Sequence, residues 1–196
     1  MTLDDTVQVH PTALIESEEI GAHTRIWAFA HVMAGARIGA DCNVGDHAFI
    51  ESGVRIGDRV TVKNNVLVWD GVTIEDEVFV GPNVVFTNDP APRVAFKTPP
   101  SEFLPTVVQR GASIGANSTI VCGVTIGPSA MIGAGTVVIE DVPPHALIVG
   151  NPGRWIGWAC VCGKTLDENL QCGCGRAYEV DEWSDGARPL VGPDAP

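Results

Sequence analysis

The sequence is poor in basic residues, and this shortage limits the partners that the protein can have. It contains 12 lysines and arginines against 24 aspartates and glutamates, so its formal net charge at pH 7 is −12. The basic residues form no cluster anywhere along the chain. Nucleic acids and anionic membrane surfaces bind proteins through such clusters, and we therefore expect neither as a partner. A small anionic molecule is compatible with the composition, because a few local Arg or Lys side chains can hold one.

A long apolar run is also missing. No stretch of about 18 apolar residues occurs, so the sequence predicts no membrane-spanning segment. The first ten residues, "MTLDDTVQVH", are acidic and lack the basic-then-apolar pattern of a signal peptide, from which we expect a cytoplasmic protein. Over 196 residues, 45% are hydrophobic and only 18% are charged, which favours one sizeable core with at most a small appendage.

What the sequence has in abundance is a six-residue repeat. An aliphatic or aromatic residue recurs at every sixth position from Leu14 to Phe86, and again from Val108 to Val138. A small or β-branched residue stands four positions after most of them. This pattern is typical of a parallel β-helix, in which each hexad forms one short strand and one corner. A β-sandwich is the alternative, but its turns every ~8–12 residues do not explain a sustained six-residue period.

Three hexads would complete one triangular coil and stack equivalent residues about 4.8 Å above one another. One internal column predicted in this way is Ile20, Ile38, Ile56 and Ile74. Two external polar rows are predicted as well, namely Asp46, Asn64 and Pro82, and beside it His47, Asn65 and Asn83. These rows have two open interpretations, a hydrogen-bonded ladder of side chains or a surface that lines a substrate.

The period is interrupted once, at "VVFTNDPAPRV", which spans residues 84–94. The sequence predicts an inserted loop at about 89–106, stiffened by Pro90, Pro92, Pro99 and Pro100. A corner of a solenoid can accept a loop without disturbing the coils above and below it. The interruption is therefore the strongest single marker of a functional site in this sequence.

Several segments carry a resemblance to a known family. They are "GASIGANSTIVCGVTIGPSAMIGAGTVVIEDVPPHALIVGNPGR", "IWAFAHV", "VKNNVLVWDGVTIEDEVFVGPNVVFTND" and the Pro92-Arg93 pair. The chain, over roughly residues 8–180, resembles hexapeptide-repeat acyltransferases of the left-handed β-helix class. It looks more narrowly like bacterial N-acetyltransferases of nucleotide-linked 3-amino sugars, either UDP-2-acetamido-3-amino-2,3-dideoxyglucuronate or dTDP-3-amino-3,6-dideoxyhexose.

This resemblance implies an all-β, left-handed parallel β-helix over residues 8–154 that assembles as a homotrimer with active sites between neighbouring subunits. It implies acetyl-CoA as co-substrate and a UDP- or dTDP-linked amino sugar as acceptor, in surface-polysaccharide (lipopolysaccharide O-antigen) or glycoside biosynthesis. The sugar amine would attack the thioester directly, without an essential protein base, because an unprotonated amine is already a good nucleophile.

The resemblance also assigns residues next to the interruption. Asn88, in "FTND", matches the position that hydrogen-bonds the reacting amine, although an Asn there can also simply cap a turn. Asp89 and Arg93 lie beside it, and Arg93 is a candidate for a diphosphate or a sugar carboxylate.

Two histidines are candidates for the acceptor side of the site. His31 lies in the shared block "IWAFAHV" and is the candidate base, placed by its phase at a coil corner; ordinary packing is the alternative. His47 follows Asp46 where relatives usually have Gln-Asn, and we expect it to contact the sugar or nucleotide. Neighbouring residues of a strand point to opposite faces, so a catalytic Asp-His pair is not expected here. Asn64, Asn65 and Asn83 complete the predicted substrate-binding residues.

The later coils are the expected coenzyme surface. Small residues there would let the pantetheine arm approach the backbone closely, and Arg154 in "GNPGR" would contact phosphates. The predicted cofactor-binding residues are Ala116, Asn117, Gly133, Ala134 and Arg154. Glu140 stands where relatives often carry Lys, which puts one expected phosphate contact in doubt.

A different composition begins after Arg154. The segment "CVCGKTLDENLQCGCGRAY" contains two C-x-C-G halves, formed by Cys160, Cys162, Cys172 and Cys174. Four thiolates suit tetrahedral zinc, so a structural zinc site is predicted within residues 155–183. The spacing departs from the usual two intervening residues, and disulfides remain the alternative. Residues 184–196 are expected to be disordered.

Two further functions share the repeat. A γ-type carbonic anhydrase would bind metal through three histidines of adjacent coils and subunits, and His23, His31 and His47 do not fall in a matching pattern. A non-catalytic scaffold has no reason to keep the interrupting loop with "FTND" and "PR".

Overall fold

The computed structural model describes residues 3–181 and 186–190, and almost all of the regular structure in this part of the chain is β. Before the inserted loop, the strands are β1 (Gln8–Val9), β2 (Leu14–Ile15), β3 (Glu19–Ile20), β4 (Arg25–Ile26), β5 (His31–Val32), β6 (Arg37–Ile38), β7 (Asn43–Val44), β8 (Phe49–Ile50), β9 (Arg55–Ile56), β10 (Thr61–Val62), β11 (Leu67–Val68), β12 (Val72–Ile74), β13 (Phe79–Val80) and β14 (Val85–Phe86). The loop contains one 3₁₀ turn at Pro100–Glu102. After it come β15 (Thr106–Val108), β16 (Ser113–Ile114), β17 (Thr119–Ile120), β18 (Thr125–Ile126), β19 (Met131–Ile132), β20 (Val137–Val138), β21 (Ala146–Val149), β22 (Arg154–Trp158), β23 (Tyr178–Asp181) and β24 (Gly186–Pro189).

Strands β1 to β21 form a three-sided parallel β-solenoid. Every third strand pairs in parallel with the next, so that the strands form sheet A (from β1), sheet B (from β2) and sheet C (from β3). Paired residues such as Thr61 and Phe79 are separated by one coil. The predicted parallel β-helix is therefore confirmed, and its coils follow the six-residue period of the sequence.

The interior is filled by the aliphatic columns that the period predicts. Ile20, Ile38, Ile56 and Ile74 pair in sequence along sheet C, and all four side chains are buried. The residue before each aliphatic side chain points outward, because successive side chains of a strand alternate between faces. Cys42 is a buried part of this core, as expected from its hexad position.

The corners are turned by residues in the left-handed backbone conformation. Between sheets A and B these residues are Phe29, His47, Asn65, Asn83, Asn117 and Gly135, with φ values between 57° and 72°. Asn adopts this conformation more readily than most residues, which explains part of its enrichment at this corner. The Asp46-His47 pair thus lies in a turn, and the expectation that it lies on a strand is wrong. The prediction for His31 is wrong in the opposite sense, because His31 was expected at a corner and lies in strand β5.

The inserted loop leaves the solenoid at the corner between sheets B and C. Its ends are joined by hydrogen bonds from Leu104 N to Asn88 O (3.1 Å) and from Thr106 N to Gly71 O (3.0 Å). Pairing continues across the loop in the same register, with Phe79 opposite Ser113. Thr106, predicted as the last loop residue, already belongs to β15.

The cysteine-rich appendage begins where β22 turns back antiparallel to β21. It ends in a hairpin of β23 and β24. Within 184–196, where disorder is predicted, Gly186–Pro189 form strand β24, and residues 184, 185 and 191–196 lie outside the described part of the chain. No helix among the described residues is long and apolar enough to cross a membrane.

Candidate functional site

Most candidate residues line one edge of the solenoid, the corner column between sheets A and B, called here the A–B edge. His47, Asn65, Asn83, Asn117 and Gly135 occupy equivalent positions there, linked coil to coil by bonds such as Asn65 N to Asp46 O and Asn117 N to Pro82 O (both 2.9 Å). Four steps of about 4.8 Å separate the first from the last. The structure therefore aligns His47, Asn65 and Asn83 of the predicted substrate-binding set with Asn117 of the predicted cofactor-binding set along one edge, in that order.

The early coils of the A–B edge carry a side-chain ladder. Asp46 accepts a hydrogen bond from Ala28 N (2.9 Å) and a second from Asn64 Nδ2 (3.1 Å). Asn65 Nδ2 donates to Asn83 Oδ1 at 3.1 Å. The ladder interpretation is thus confirmed, yet the side chains of Asn64, Asn65 and Asn83 remain exposed on their outer faces. They stabilise the edge and still present amide groups to a ligand.

His47 is held by stacking instead of by the ladder. Its ring lies parallel to that of Phe29, with centroids 4.9 Å apart and an interplanar angle of 13°. Phe29 is an exposed aromatic residue that was not predicted from the sequence, although it occupies the position one coil before His47. An aromatic pair of this kind offers a flat face for a base or sugar ring.

Two later coils of the A–B edge have alanine at the position that Asp46 occupies in an early coil. Asp46 caps the N–H of Ala28, whereas the equivalent positions in later coils are Ala116 and Ala134. Within residues 3–181 and 186–190, the N–H groups of Ala116 and Ala134 have no hydrogen-bond acceptor. Unpaired backbone donors require a partner such as water or a ligand. A chain of amide and thioester carbonyls, as in pantetheine, suits them.

The glycines near these donors have a packing explanation. A Cβ at Gly115 would lie 2.5 Å from Ala134 N, and a Cβ at Gly133 would lie 2.8 Å from Val149 Cγ1. The backbone of the next coil therefore requires glycine at Gly115, whereas a Cβ at Gly133 would meet only the Val149 side chain at such a short distance. The packing of neighbouring coils thus accounts for Gly115, and the contact of Gly133 with the coenzyme stays a prediction.

Arg154 lies at the C-terminal end of the same edge. The turn before it is joined to sheet B by Gly153 N to Val137 O (2.7 Å), and the Asn151-Pro152 peptide bond is cis. The Arg154 guanidinium donates only to Gly153 O (2.8 Å) among the described residues and is otherwise exposed. Its position suits a phosphate at the far end of a ligand lying along the edge. Glu140 is exposed and supplies no cation there.

Asn88 lies at a different edge, between sheets B and C. Its Nδ2 donates to Asp70 O at 3.5 Å, the limit of a hydrogen bond, and its Oδ1 accepts none within the described ranges. The side chain is half-buried beside the base of the loop. A free amide oxygen in a partly dry position can accept a hydrogen bond from an amine and orient the nitrogen lone pair.

The loop that follows Asn88 forms an open concave surface with two cations. Asp89, Pro92, Arg93, Val94, Lys97 and Thr98 line it. The Asp89 carboxylate accepts hydrogen bonds from Ala91 N and Thr98 Oγ1 (both 2.9 Å), so it organises the loop itself. Arg93 donates to Pro92 O (3.0 Å) and is exposed, which leaves its guanidinium able to reach an anion.

His31 does not lie near Asn88. The outward positions of sheet B run from His31 through Phe49 and Leu67 to Val85, which is three coils or about 14 Å along the axis. His31 Nε2 lies 3.5 Å from Glu16 Oε2, outside hydrogen-bond geometry, and its ring makes an edge contact with Phe49. Glu16 was not anticipated from the sequence. Within one chain, the structure therefore does not bring the candidate base to the candidate amine site.

Asn83 and Asn88 belong to the same coil but not to the same edge. Five extended residues separate them, which corresponds to about 16 Å. Both groups therefore cannot touch one reacting atom within a single chain. A site that uses the A–B edge and Asn88 together requires two chains.

The four appendage cysteines come together as predicted. Their Sγ atoms all lie within 4.8 Å of one another. The backbone N–H of Arg176, followed by its side chain, lowers the pKa of Cys174 to about 6. The backbone N–H of Cys174 favours the Cys172 thiolate, but burial and the neighbouring thiols together raise the pKa of Cys172 to about 12. In the described part of the chain this is the one group of three or more potential metal ligands.

Comparison with known proteins agrees with the solenoid. Residues 19–52 and 53–88 match the family described as bacterial transferase hexapeptide (six repeats), and residues 105–140 match the hexapeptide repeat of succinyl-transferase. The chain is 53% identical over 178 residues to dTDP-3-amino-3,6-dideoxy-α-D-galactopyranose 3-N-acetyltransferase of Aneurinibacillus thermoaerophilus. That alignment covers 89% of this chain and 92% of the relative.

Solved structures show the same architecture. A hexapeptide-repeat acetyltransferase from Vibrio cholerae, complexed with acetyl coenzyme A, aligns with a TM-score of 0.56 and 32% identity. The alignment covers 63% of this chain and 70% of that one. The acetyltransferase domain of PglB from Neisseria gonorrhoeae aligns with a TM-score of 0.51 and 20% identity, over 76% of this chain and 57% of that one. The second likeness concerns the fold alone.

Proposed function

The chain belongs to the hexapeptide-repeat acetyltransferases, and on that basis we propose that it acetylates the 3-amino group of a nucleotide-linked 3-amino sugar with acetyl-CoA. The observation that carries this proposal is the 53% identity, over nearly the whole length of both chains, to an enzyme named for that reaction on a dTDP-linked sugar. We therefore favour a dTDP-linked 3-amino-3,6-dideoxyhexose over a UDP-linked uronate as the acceptor.

The proposed reaction is direct acyl transfer. The unprotonated 3-amino nitrogen attacks the thioester carbonyl carbon, the C–S bond breaks, and the amine proton leaves as CoA departs as a thiol. Because a free amine is a good nucleophile, the protein must chiefly align the reactants and stabilise the charge on the carbonyl oxygen. Asn88 Oδ1 accepts a hydrogen bond from the amine and orients its lone pair without removing a proton.

The A–B edge suits the two substrates placed end to end. The unpaired N–H groups of Ala116 and Ala134 would bind carbonyls of the pantetheine arm, and Arg154 would bind a coenzyme phosphate. Towards the earlier coils, Asn83, Asn65 and the Phe29–His47 stack would receive the nucleotide sugar. This order places the junction of the two ligands near the coil that contains Asn88.

A homotrimer would complete this arrangement, because Asn88 and the A–B edge of one chain are too far apart to act on one atom. The loop supports association, since the side chains of Val94 and Phe96 are 94% and 81% exposed in the isolated chain. Arg93 and Lys97 of the same loop would then lie over a neighbour's edge, where they would hold the diphosphate. We place the reaction in the cytoplasm, where both substrates are made, in a pathway towards surface polysaccharide such as O-antigen or another glycoside.

The test is a thiol-release assay. Acetyl-CoA and dTDP-3-amino-3,6-dideoxygalactose are expected to yield free CoA and a product heavier by one acetyl group, detected with a thiol reagent and by mass spectrometry. UDP-linked 3-amino sugars serve as the comparison and are expected to react more slowly. The proposal is wrong if no member of a panel of dTDP- and UDP-linked 3-amino sugars releases thiol while acetyl-CoA binding is normal.

A further inference from the structure

The appendage contains two backbone turns of the same form, each carrying two cysteines. In the first, Cys160 N donates to Lys164 O and Gly163 N donates to Cys160 O, both at 2.8 Å. In the second, Cys172 N donates to Arg176 O and Gly175 N donates to Cys172 O, again both at 2.8 Å. The two glycines have φ values of 82° and 94°, which residues with a Cβ rarely adopt. The two turns therefore have the same backbone hydrogen bonds and hold their cysteine pairs at equivalent positions.

The sulfur positions fit a tetrahedral metal. The Sγ atoms of Cys160 and Cys174 are 3.6 Å apart, and those of Cys162 and Cys172 are 3.5 Å apart. A Zn–S bond of about 2.3 Å places the sulfurs of a tetrahedral site about 3.8 Å from one another. A disulfide requires about 2.05 Å, so neither pair of sulfurs is at bonding distance.

Hydrogen-bond donors surround the sulfurs as in a thiolate site. Tyr178 Oη donates to Cys160 Sγ at 3.1 Å, and Arg176 donates from its guanidinium to Cys174 Sγ at 3.4 Å. Such outer contacts orient the ligands of a metal and offset the charge of the thiolates. Tyr178 also accepts a hydrogen bond from Val161 N (3.0 Å), so it fixes the first turn as well.

The appendage is too small to be held by its apolar core. Its buried cluster contains Cys160, Leu166, Cys172, Tyr178 and Ala187, and it is separate from the core of the solenoid. Two of these five residues are cysteines. Units of this size are usually stabilised by disulfides or by a structural metal.

We propose that Cys160, Cys162, Cys172 and Cys174 bind one Zn²⁺ ion that holds the appendage together and fastens it to the last corner of the solenoid. Four protein thiolates leave no open coordination position, so the ion is structural and takes no part in acetyl transfer. Zinc binding releases the thiol protons, and the free energy of binding stabilises the folded form of this segment.

The corner that receives the appendage is formed by Pro144 and His145. Ala159 N donates to His145 O (2.7 Å), and His145 Nδ1 lies 2.9 Å from Ala159 O. The His145 ring makes an edge contact with Tyr178, with centroids 5.1 Å apart. Because Tyr178 contacts both this histidine and the Cys160 sulfur, loss of the metal is expected to loosen the docking as well as the turns.

The first experiment measures the metal in untagged protein purified under reducing conditions. Elemental analysis is expected to give one zinc per chain, released on treatment with a thiol-modifying reagent together with a zinc-binding dye. Protein without metal, or protein whose non-reducing mass shows two disulfides, would overturn the proposal, and iron in place of zinc would overturn the choice of metal.

The variants Cys162→Ser and Cys174→Ser alter the two exposed ligands, whereas Cys42→Ala removes a thiol in the solenoid core and is the matched control. Zinc content is expected to fall at least tenfold in the first two and to be unchanged in the control. Hydrogen exchange should accelerate in residues 159–178 and not in the coils before residue 140. The same exchange pattern is expected when wild-type protein is treated with a chelator, so the test does not depend on the folding of a variant. Unchanged exchange after loss of zinc would contradict the fastening role, and no outcome depends on whether the proposed reaction occurs.

Discussion

At the scale of single residues, Asn88 differs from the ladder amides in what its oxygen does. Asn65 and Asn83 are hydrogen-bonded to each other, whereas the Asn88 Oδ1 accepts no hydrogen bond within residues 3–181 and 186–190. A half-buried amide oxygen without a donor is unfavourable unless a ligand supplies one. Its removal should therefore affect the reaction more than the fold.

We expect Asn88→Ala to lower kcat/KM for the amino sugar by about 10²-fold, because the amine is then misaligned with the thioester. Thermal stability and oligomer mass should be unchanged, since the side chain makes only one long hydrogen bond. Asn169→Ala, in an exposed turn of the appendage, is the control and should keep full activity. Turnover near the wild-type value in Asn88→Ala would refute the assignment.

Ala134 is the second residue with a specific prediction. An Asp at this position should cap the N–H of Ala116, as Asp46 caps that of Ala28. We expect Ala134→Asp to raise KM for acetyl-CoA roughly 3–10-fold through loss of a hydrogen bond to the coenzyme. Initial rates at varied acetyl-CoA would measure this.

The control for Ala134→Asp is Ala40→Asp, which installs the same cap on the N–H of Ala22 at the corner between sheets C and A. The pattern there already exists one coil later, where Asp58 Oδ1 accepts from Ala40 N at 2.8 Å. Equal KM values in the two variants would show that the N–H of Ala116 does not bind the coenzyme.

Single residues were only partly predictable from the sequence. The constant number of residues per coil was enough to place His47, Asn65 and Asn83 in one row. The same pattern was sufficient to place His31 on a strand, because His31 precedes the buried Val32 as Arg25 precedes the buried Ile26. The hydrogen bonds that distinguish Asn88 from Asn65 are not predictable from the period, because they depend on which side chain lies one coil away and on how the loop closes.

At the scale of elements, the loop carries the two most exposed large apolar side chains in the part of the chain that the structure describes. Val94 and Phe96 project from a segment whose backbone is fixed at both ends and internally by Asp89. Exposed apolar groups of this size on an ordered loop mark a contact surface. The proline content predicted a stiff loop, but which side chains it exposes required the structure.

We expect the double variant Val94→Ser, Phe96→Ser to weaken subunit association by about 10²–10⁴-fold, since burial of each such side chain contributes about 1.5–3 kcal/mol. Sedimentation or mass photometry on dilution measures the dissociation constant. Val180→Ser, an exposed apolar residue of the appendage, is the control and should not alter it. A double variant with wild-type association and wild-type KM for the sugar would show that the loop contacts no neighbour.

At the scale of the whole molecule, the solenoid is a one-dimensional stack in which each coil touches only the coils before and after it. The stability of such a stack is the sum of the intrinsic stability of each coil and the contact energies between neighbouring coils. The aliphatic period predicted the fold because every coil repeats the same buried positions and the same contacts with its neighbours. The appendage follows no such period, and only its cysteine spacing gave a signal.

A stack of this kind predicts that one substitution has different effects in the middle and at the end. Ile74 and Ile20 belong to the same internal column, with 1% and 7% exposure. We expect Ile74→Ala to destabilise the protein by about 2–5 kcal/mol and Ile20→Ala by clearly less, because the end coil has one neighbour. Midpoints of guanidinium unfolding compare the two. Equal losses of unfolding free energy in the two variants would mean that the position of a coil in the stack does not affect its contribution to stability.

The register across the loop has a consequence for how the acceptor preference of this protein can change. Paired residues are 18 positions apart between Thr61 and Phe79 and 34 apart between Phe79 and Ser113, so sixteen extra residues enter without shifting the ladder. The length and composition of the insert are thus uncoupled from the phase of the repeat. A cassette exchanged between the points where Asn88 O and Leu104 N meet would bring new acceptor contacts while every coil keeps its partner.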